Sequence, residues 1–401
     1  MKLLFLTPQM PWPPQQGAAL RNGGLIHALA QRHELHLLTF ADAPTPTPPH
    51  LASLTTVPLP PRSGAARLRD LLRHPAPDMA RRLASPAMAE ALASLLQRHG
   101  FDLVQVEGIE MVPFALPYLG RAVGPRWIYD AHNAESDLQV SALRADLKRP
   151  TRWHAALYSA LQVRKLRRFE RDSLPRFDGV VAVSQEDAAL LTAQCHVDAV
   201  VVPNGVDSDH FAPQRFDAAP DMAGRGGPTL LFTGKMDFRP NVDGVLWFAD
   251  QILPQLADLN PTLWVVGQRP HRALDRLRQQ PNIVLRGWVD AVEPYLAAAD
   301  LVVVPLRMGS GTRLKVLQAL SMARPVVGTT LGCAGLAVSD GKELRLADSA
   351  DDFANAVRQT LLQPRDAAAM AMRGRAHIQQ KFDWRVIVPS LEESYQRWLA
   401  Q

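Results

Sequence analysis

Residues 301–330, LVVVPLRMGSGTRLKVLQALSMARPVVGTT, read as strand, glycine loop, helix and strand without a gap, and this pattern constrains the fold more than any other stretch. The apolar run at 301–305 has the length and β-branched content of a strand buried on both faces of a parallel sheet. Gly309, Ser310, Gly311 and Thr312 then open a helix. Glycines let backbone pass close to a ligand. The unpaired amides of a first helical turn, with the positive end of its dipole, make a seat for phosphate. Arg313 and Lys315 add full positive charge. Leu314, Leu317 and Leu320 share the face expected to meet the core, whereas Gly311, Lys315 and Gln318 fall on another face, expected to look into a cleft. An ordinary crossover helix with a glycine N-terminus fits the same residues, because a short glycine loop alone is a weak signal.

At 401 residues the chain exceeds one ordinary core and predicts two domains. The second half alternates strands at 229–233, 263–267, 283–286, 301–305 and 325–327, and near 344–346, with helices that include 245–256 and 292–299. That alternation means a parallel sheet with right-handed crossovers. The first half offers strands at 3–7, 35–40, 103–107, 127–130, 179–184 and 199–202, a helix over 20–32, a proline-rich loop over 43–61 and one or two short basic helices over 62–82. We therefore expect an N-terminal domain at 1–208, a linker at 209–228 rich in Pro, Ala, Gly and charge, and a C-terminal domain at 229–382. A final amphipathic helix from 383, with Trp384, Ile387, Leu391, Tyr395 and Trp398 on its apolar side, is expected to return to the N-terminal domain.

Two distant cysteines, Cys195 and Cys333, form no metal-type spacing and fit a reduced, cytoplasmic compartment. Prolines 8, 11, 13 and 14 end the N-terminal apolar run before a signal peptide could form, and no run approaches a membrane span. A net charge of +5 is too modest to argue for nucleic acid. The charge is concentrated at 142–176, where ten basic residues interleave with Trp153, Leu157, Tyr158, Leu161 and Phe169. A solvated helix face, a nucleic-acid patch and contact with an anionic membrane surface all fit this pattern.

Gly17 and Arg21 follow the first strand and are candidates to touch a ligand, or a turn glycine and a helix-face arginine. His132 and Asn133 stand where an expected strand ends, the place at which open parallel sheets put ligands. His132 could move a proton near neutral pH or bond a sugar hydroxyl, or be structural. Asn204 sits in a turn at another strand end.

Several segments together carry a resemblance. They are VAVSQED at 181–187, PNGVD at 203–207, GKMDFRPNVDGVLWF at 234–248, VVG at 265–267, LRGWVD at 285–290 and YLAAADLVVVPLRMGSGTRLKVLQALSMARPVV at 295–327. In order and spacing the chain resembles the retaining nucleotide-sugar glycosyltransferases of the GT-B kind, family 4-like, and in particular the branch associated with exopolysaccharide export. The resemblance implies an α/β fold of two Rossmann-like, doubly wound parallel-sheet domains facing a cleft. It implies a retaining, metal-independent hexosyltransferase with no cofactor, moving sugar from a nucleoside-diphosphate donor to a glycan or lipid-linked acceptor. Such an enzyme would work in the cytoplasm, or peripherally on the inner face of the plasma membrane.

By residue, the resemblance puts Gly17 near the donor phosphates, His132 by the transferred sugar and Lys235 at the pyrophosphate. The family's second lysine falls at Pro240, so Arg239 or Lys315 is expected to replace it. Backbone at Gly287, Trp288 and Val289 would read the nucleobase. Amides of Ser310, Gly311 and Thr312 would hold phosphate or sugar. The family's paired glutamates fall at Ser310 and Gln318, and Gln318 can accept from the ribose only as a neutral amide. That departure leaves two alternatives: a catalytically weak or inactive sugar-nucleotide binding module, and a sugar-nucleotide epimerase on the same fold.

Overall fold

A computed structural model describes residues 1–13, 17–42, 47–147, 153–224, 226–309 and 313–401. The chain forms two compact units, one of Met1–Pro203 with Ile387–Gln401 and one of Asn204–Val386. In the first unit the strands are β1 (Lys2–Thr7), β2 (Glu34–Phe40), β3 (Ser53–Val57), β4 (Leu103–Glu107), β5 (Arg126–Ala131), β6 (Gly179–Ala182) and β7 (Ala199–Val201). They lie in the order β3-β2-β1-β4-β5-β6-β7, every neighbouring pair parallel. In the second they are β8 (Thr229–Thr233), β9 (Thr262–Val266), β10 (Ile283–Gly287), β11 (Leu301–Val304), β12 (Val326–Gly328) and β13 (Arg345–Leu346). Their order is β10-β9-β8-β11-β12-β13, again all parallel.

Parallel neighbours require crossovers that cover both faces of a sheet, which is why the central strands are apolar throughout. Leu3 to Leu6 of β1 and Leu301 to Val304 of β11 have no exposed surface. Each sheet order reverses once, between β1 and β4 and between β8 and β11, and ligands of doubly wound sheets bind outside the strand ends at such a reversal. Both units are therefore Rossmann-like.

Three expectations need correcting. β3 lies inside the stretch read as loop: it is a short edge strand flanked by prolines, which a sheet edge tolerates and a central position does not. The helix expected at 245–256 begins earlier, as Arg239–Trp247 with Pro240 in its first turn, passes into a π turn at Phe248–Ile252 and ends as a 3-10 helix at Leu253–Leu259. The first helix starts at Gly17 and ends at Ala30, ahead of the span expected from Leu20.

The last helix, Trp384–Leu399, buries Ile387, Leu391, Tyr395 and Trp398. Within the first unit Trp398 lies so close to Gly179 that a Cβ there would be 2.3 Å from the indole ring.

Candidate functional site

In the second unit, β8 delivers Gly234 and Lys235 to its C-terminal end, and the helix Arg239–Trp247 follows. β11 delivers Gly309, and the helix Leu314–Ser321 begins after Arg313. The parallel pairing of β8 with β11 brings these two loops together. Lys315 Nζ reaches Asn241 Oδ1 at 2.9 Å, and Asn241 Nδ2 in turn donates to the Lys235 carbonyl at 2.9 Å. The same ammonium stands 4.0 Å from the centroid of the Phe232 ring. A Cβ on Gly234, whose φ is +149°, would lie 3.0 Å from it, so the missing side chain is what leaves room.

Among the described residues Lys315 has no carboxylate partner. Burial first, and then the charge of Arg313, push its pKa down to about 7. Arg313 is itself buried beside Gly309, its guanidinium directed at the Leu331 carbonyl. Lys235 is half-buried, 3.6 Å from Asp237. Arg239 is half-buried at the helix start, and Gln318 is buried one turn beyond Lys315. Gly287 ends β10 and Trp288 and Val289 follow it, with Trp288 half exposed. A Cβ on Gly267 would fall 1.7 Å from the Gly234 carbonyl, and the Gly267 amide donates to the Gly287 carbonyl at 2.8 Å. Glycines thus let the ends of β8, β9 and β10 touch. Asn204 begins this unit and is half-buried. Ser310, Gly311 and Thr312 lie outside the described residues.

In the first unit the ends of β4 and β5 carry a buried polar cluster. His132 Nε2 is 2.9 Å from Glu107 Oε2. Arg21, expected at a ligand or on an outer helix face, is 1% exposed and lies beneath this cluster. Its guanidinium grips both Asp130 oxygens, Nε to Oδ1 at 3.2 Å and NH2 to Oδ2 at 2.8 Å, and NH1 donates to the Val202 and Pro203 carbonyls. Asn133 donates to Glu135 at 3.3 Å, and Gly17 is the exposed first residue of the helix that carries Arg21.

Burial lowers the His132 pKa, but the bond to Glu107, its charge and that of Asp130 outweigh it and raise the imidazole above its ordinary value. Burial and Asp130 raise Glu107. Burial and Glu110 push Glu135 up to about 7, so near neutral pH it can offer or accept a proton. Glu107, Asp130 and His132 offer ligand atoms within 4.8 Å of one another, a grouping that sequence spacing did not suggest. The cation present there is the guanidinium of Arg21.

Sequence reasoning assigned no role to Glu107, Asn241 or Phe232. Glu107 ends a buried strand, and a carboxylate in that position was the available signal. Asn241 and Phe232 carried none, because their part depends on Lys315, distant in sequence.

Two family models match the chain: Glycosyltransferase Family 4 over residues 16–210 and Glycosyl transferases group 1 over residues 227–363. A GDP-mannose-dependent alpha-(1-6)-phosphatidylinositol monomannoside mannosyltransferase of Mycolicibacterium smegmatis is 27% identical over 340 residues, 79% of this chain and 81% of that protein. Sucrose-phosphate synthase from Thermosynechococcus elongatus superposes with a TM-score of 0.74 at 17% identity, covering 100% of this chain and 99% of that one. Anabaena HepE, solved in complex with UDP and glucose, superposes with a TM-score of 0.67 at 17% identity over 99% of each chain.

Proposed function

The chain belongs to the glycosyltransferases of the GT-B kind, and from that premise we propose that it moves a sugar from a nucleoside-diphosphate donor to a hydroxyl of a glycan or lipid-linked acceptor, with retention at the anomeric carbon. The observation that carries the proposal is Lys315, an ammonium held by a neutral amide and an aromatic face at the sheet reversal of the second unit. A cation kept without a carboxylate is poised for an anion that arrives with the substrate. HepE was solved with UDP bound and a relative is GDP-mannose-dependent, which favours a diphosphate as that anion.

In this mechanism the acceptor oxygen attacks the anomeric carbon on the face the diphosphate leaves. The bond from that carbon to the phosphate oxygen breaks, and the acceptor proton passes to a phosphate oxygen. No protein nucleophile is needed. What this chain contributes is charge directed at the departing diphosphate from Lys315, Lys235, Arg239 and Arg313, which stabilises the transition state electrostatically. These cations can do what a divalent ion would do. His132, fixed by Glu107, serves the transferred sugar by bonding one of its hydroxyls.

We also propose peripheral contact with an anionic membrane. No described helix is long and apolar enough to cross a membrane. On the helix Trp153–Ser173 one exposed face carries Trp153, Leu157 and Leu161 and then Arg164, Arg167, Arg168 and Arg171.

The test is incubation of purified protein with a panel of labelled nucleotide sugars and membrane extract. Label moved to lipid or glycan supports the proposal. Interconversion of free donors would identify an epimerase, and neither outcome a binding module. Lys315→Ala should abolish transfer while the protein stays folded, and a fully active Lys315→Ala protein overturns the assignment.

A further inference from the structure

We propose that Tyr395, on the last helix of the chain, is a positioning residue for sugar transfer, acting on His132 through Gln105 and Glu107. This rests on the reading of His132 as the group beside the transferred sugar.

Gln105 on β4 has no exposed surface. Its Nε2 donates to Glu107 Oε1 at 2.7 Å and to Asp130 Oδ2 at 3.3 Å. The amide nitrogen thus faces the two carboxylates and Oε1 faces away from them. On that side the Tyr395 hydroxyl donates to Oε1. Tyr395 is fully buried, and burial together with Glu107 and Asp130 holds its pKa well above the ordinary value, so the hydroxyl keeps its proton.

Glu107 Oε2 is 2.9 Å from His132 Nε2. With its amide nitrogen turned toward Glu107, Asn22 donates to the same oxygen at 2.8 Å and to the Ala18 carbonyl at 3.1 Å, which uses both amide protons, so Nε2, 3.2 Å from that nitrogen, keeps its own proton for Glu107. The chain of contacts thus fixes the amide, the amide fixes the carboxylate, and the carboxylate holds a ring proton on Nε2 in the charged and in the neutral imidazole alike. Nδ1 is left to face Gly108, where a Cβ would lie 3.5 Å away. That nitrogen is the one left to meet a sugar hydroxyl, donating to it from the charged ring and accepting from it in the neutral one. The charged groups around the ring are Glu107 on β4, Asp130 on β5, Arg21 on the first helix, and Glu110 and Glu135 beyond the strand ends.

Removing the Tyr395 hydroxyl leaves Gln105 Oε1 buried without its donor, a loss the interior cannot make good with water. The helix itself stays anchored by Trp398 over Gly179 and by Glu392, which bonds Arg32 at 2.6 Å and His33 at 2.8 Å. Tyr395→Phe is therefore expected to fold and to lack only one hydroxyl.

Steady-state transfer by the full chain gives the first readout. Tyr395→Phe is expected to lower kcat roughly tenfold, the scale of one hydrogen bond, with the donor KM unchanged. In a Glu107→Gln background the same change is expected to add nothing. A wild-type kcat accompanied only by a lower melting temperature overturns the proposal, as does the same fall in the Glu107→Gln background. His132→Ala separates the two readings. If it keeps wild-type activity, the placement of His132 fails; if it is inactive while Tyr395→Phe is normal, only the positioning role fails. A second readout needs no activity: nitrogen-15 spectra of histidine-labelled protein at alkaline pH should show His132 protonated on Nε2 and a mixed tautomer in Tyr395→Phe. An unchanged spectrum overturns the proposal.

Discussion

Lys315 Nζ sits 2.9 Å from Asn241 Oδ1, so this cation is held by a neutral amide where a carboxylate is the usual partner. Its pKa, pushed down to about 7 by burial and Arg313, should then couple the proposed nucleotide binding to proton uptake. The proposed diphosphate would bind the charged form. Below pH 7 that form already predominates and affinity should be flat with pH. Above it, affinity should fall by up to about tenfold per pH unit until the pKa of the complex is reached. Calorimetry in buffers of differing ionisation enthalpy checks the proton count. Lys315→Met should remove the uptake and weaken a nucleoside diphosphate by roughly tenfold to a hundredfold.

Gly267 is expected to tolerate no side chain. Its φ is +154°, and a Cβ would stand 1.7 Å from the Gly234 carbonyl, a contact with backbone that no rotamer change relieves. Gly267→Ala should destabilise the second unit by about 3 kcal/mol or more, read as a lower denaturant midpoint. Gly64, with nothing within 4 Å of its Cβ position, is the control whose alanine variant should unfold like the parent.

Much of the architecture was legible because buried parallel strands are continuous apolar runs. The stretches LVVV at β11 and LLFL in β1 announce themselves, and the loops after them mark the sheet reversals. β3 was hidden because its sequence SLTTV is short, half-exposed and set among prolines. The site was legible as residue types but not as pairs. Arg21 and Asp130 are 109 positions apart, and Tyr395 and Gln105 are 290 apart. Nothing local to Arg21 distinguishes a buried arginine from a surface one, and its partner is set by which strands the fold makes adjacent.

Gln318 is the position at which the resemblance expects a carboxylate. It is buried on the helix Leu314–Ser321, one turn from Lys315. If the ribose hydroxyls meet this residue, Gln318→Glu replaces a neutral acceptor by a charged one, about 1 kcal/mol stronger. Nucleoside diphosphate affinity should then rise roughly fivefold, with no gain for the 2′,3′-dideoxy analogue. Equal gains for both nucleotides, measured by calorimetry, would place the effect at Lys315 instead of the ribose.

The exposed face of the helix Trp153–Ser173 leads to the last prediction. Trp153 is 70% and Leu157 66% exposed, while Ala156, Val163 and Leu166 on the opposite side are buried. At helical spacing Trp153, Leu157, Leu161, Arg164, Arg168 and Arg171 share one stripe, apolar at its start and cationic beyond. Laid against a bilayer, such a stripe puts the indole and leucines at the acyl boundary and the guanidinium groups among lipid phosphates. Arg168 and Arg171 have Asp172 beside them, at 3.4 Å and 3.8 Å, which partly offsets their charge and leaves Arg164 and Arg167 the larger share. The protein should float with vesicles of phosphatidylcholine mixed with phosphatidylglycerol and not with phosphatidylcholine alone, and salt should release it. Arg164→Gln and Arg167→Gln should each weaken binding roughly fivefold, at about 1 kcal/mol per arginine near the surface. Trp153→Ala with Leu157→Ala should weaken it further without lowering the melting temperature, since neither side chain is buried. Unchanged flotation in these variants would remove this face as the membrane contact, and a concentration-dependent dimer lost in Trp153→Ala would assign it to self-association.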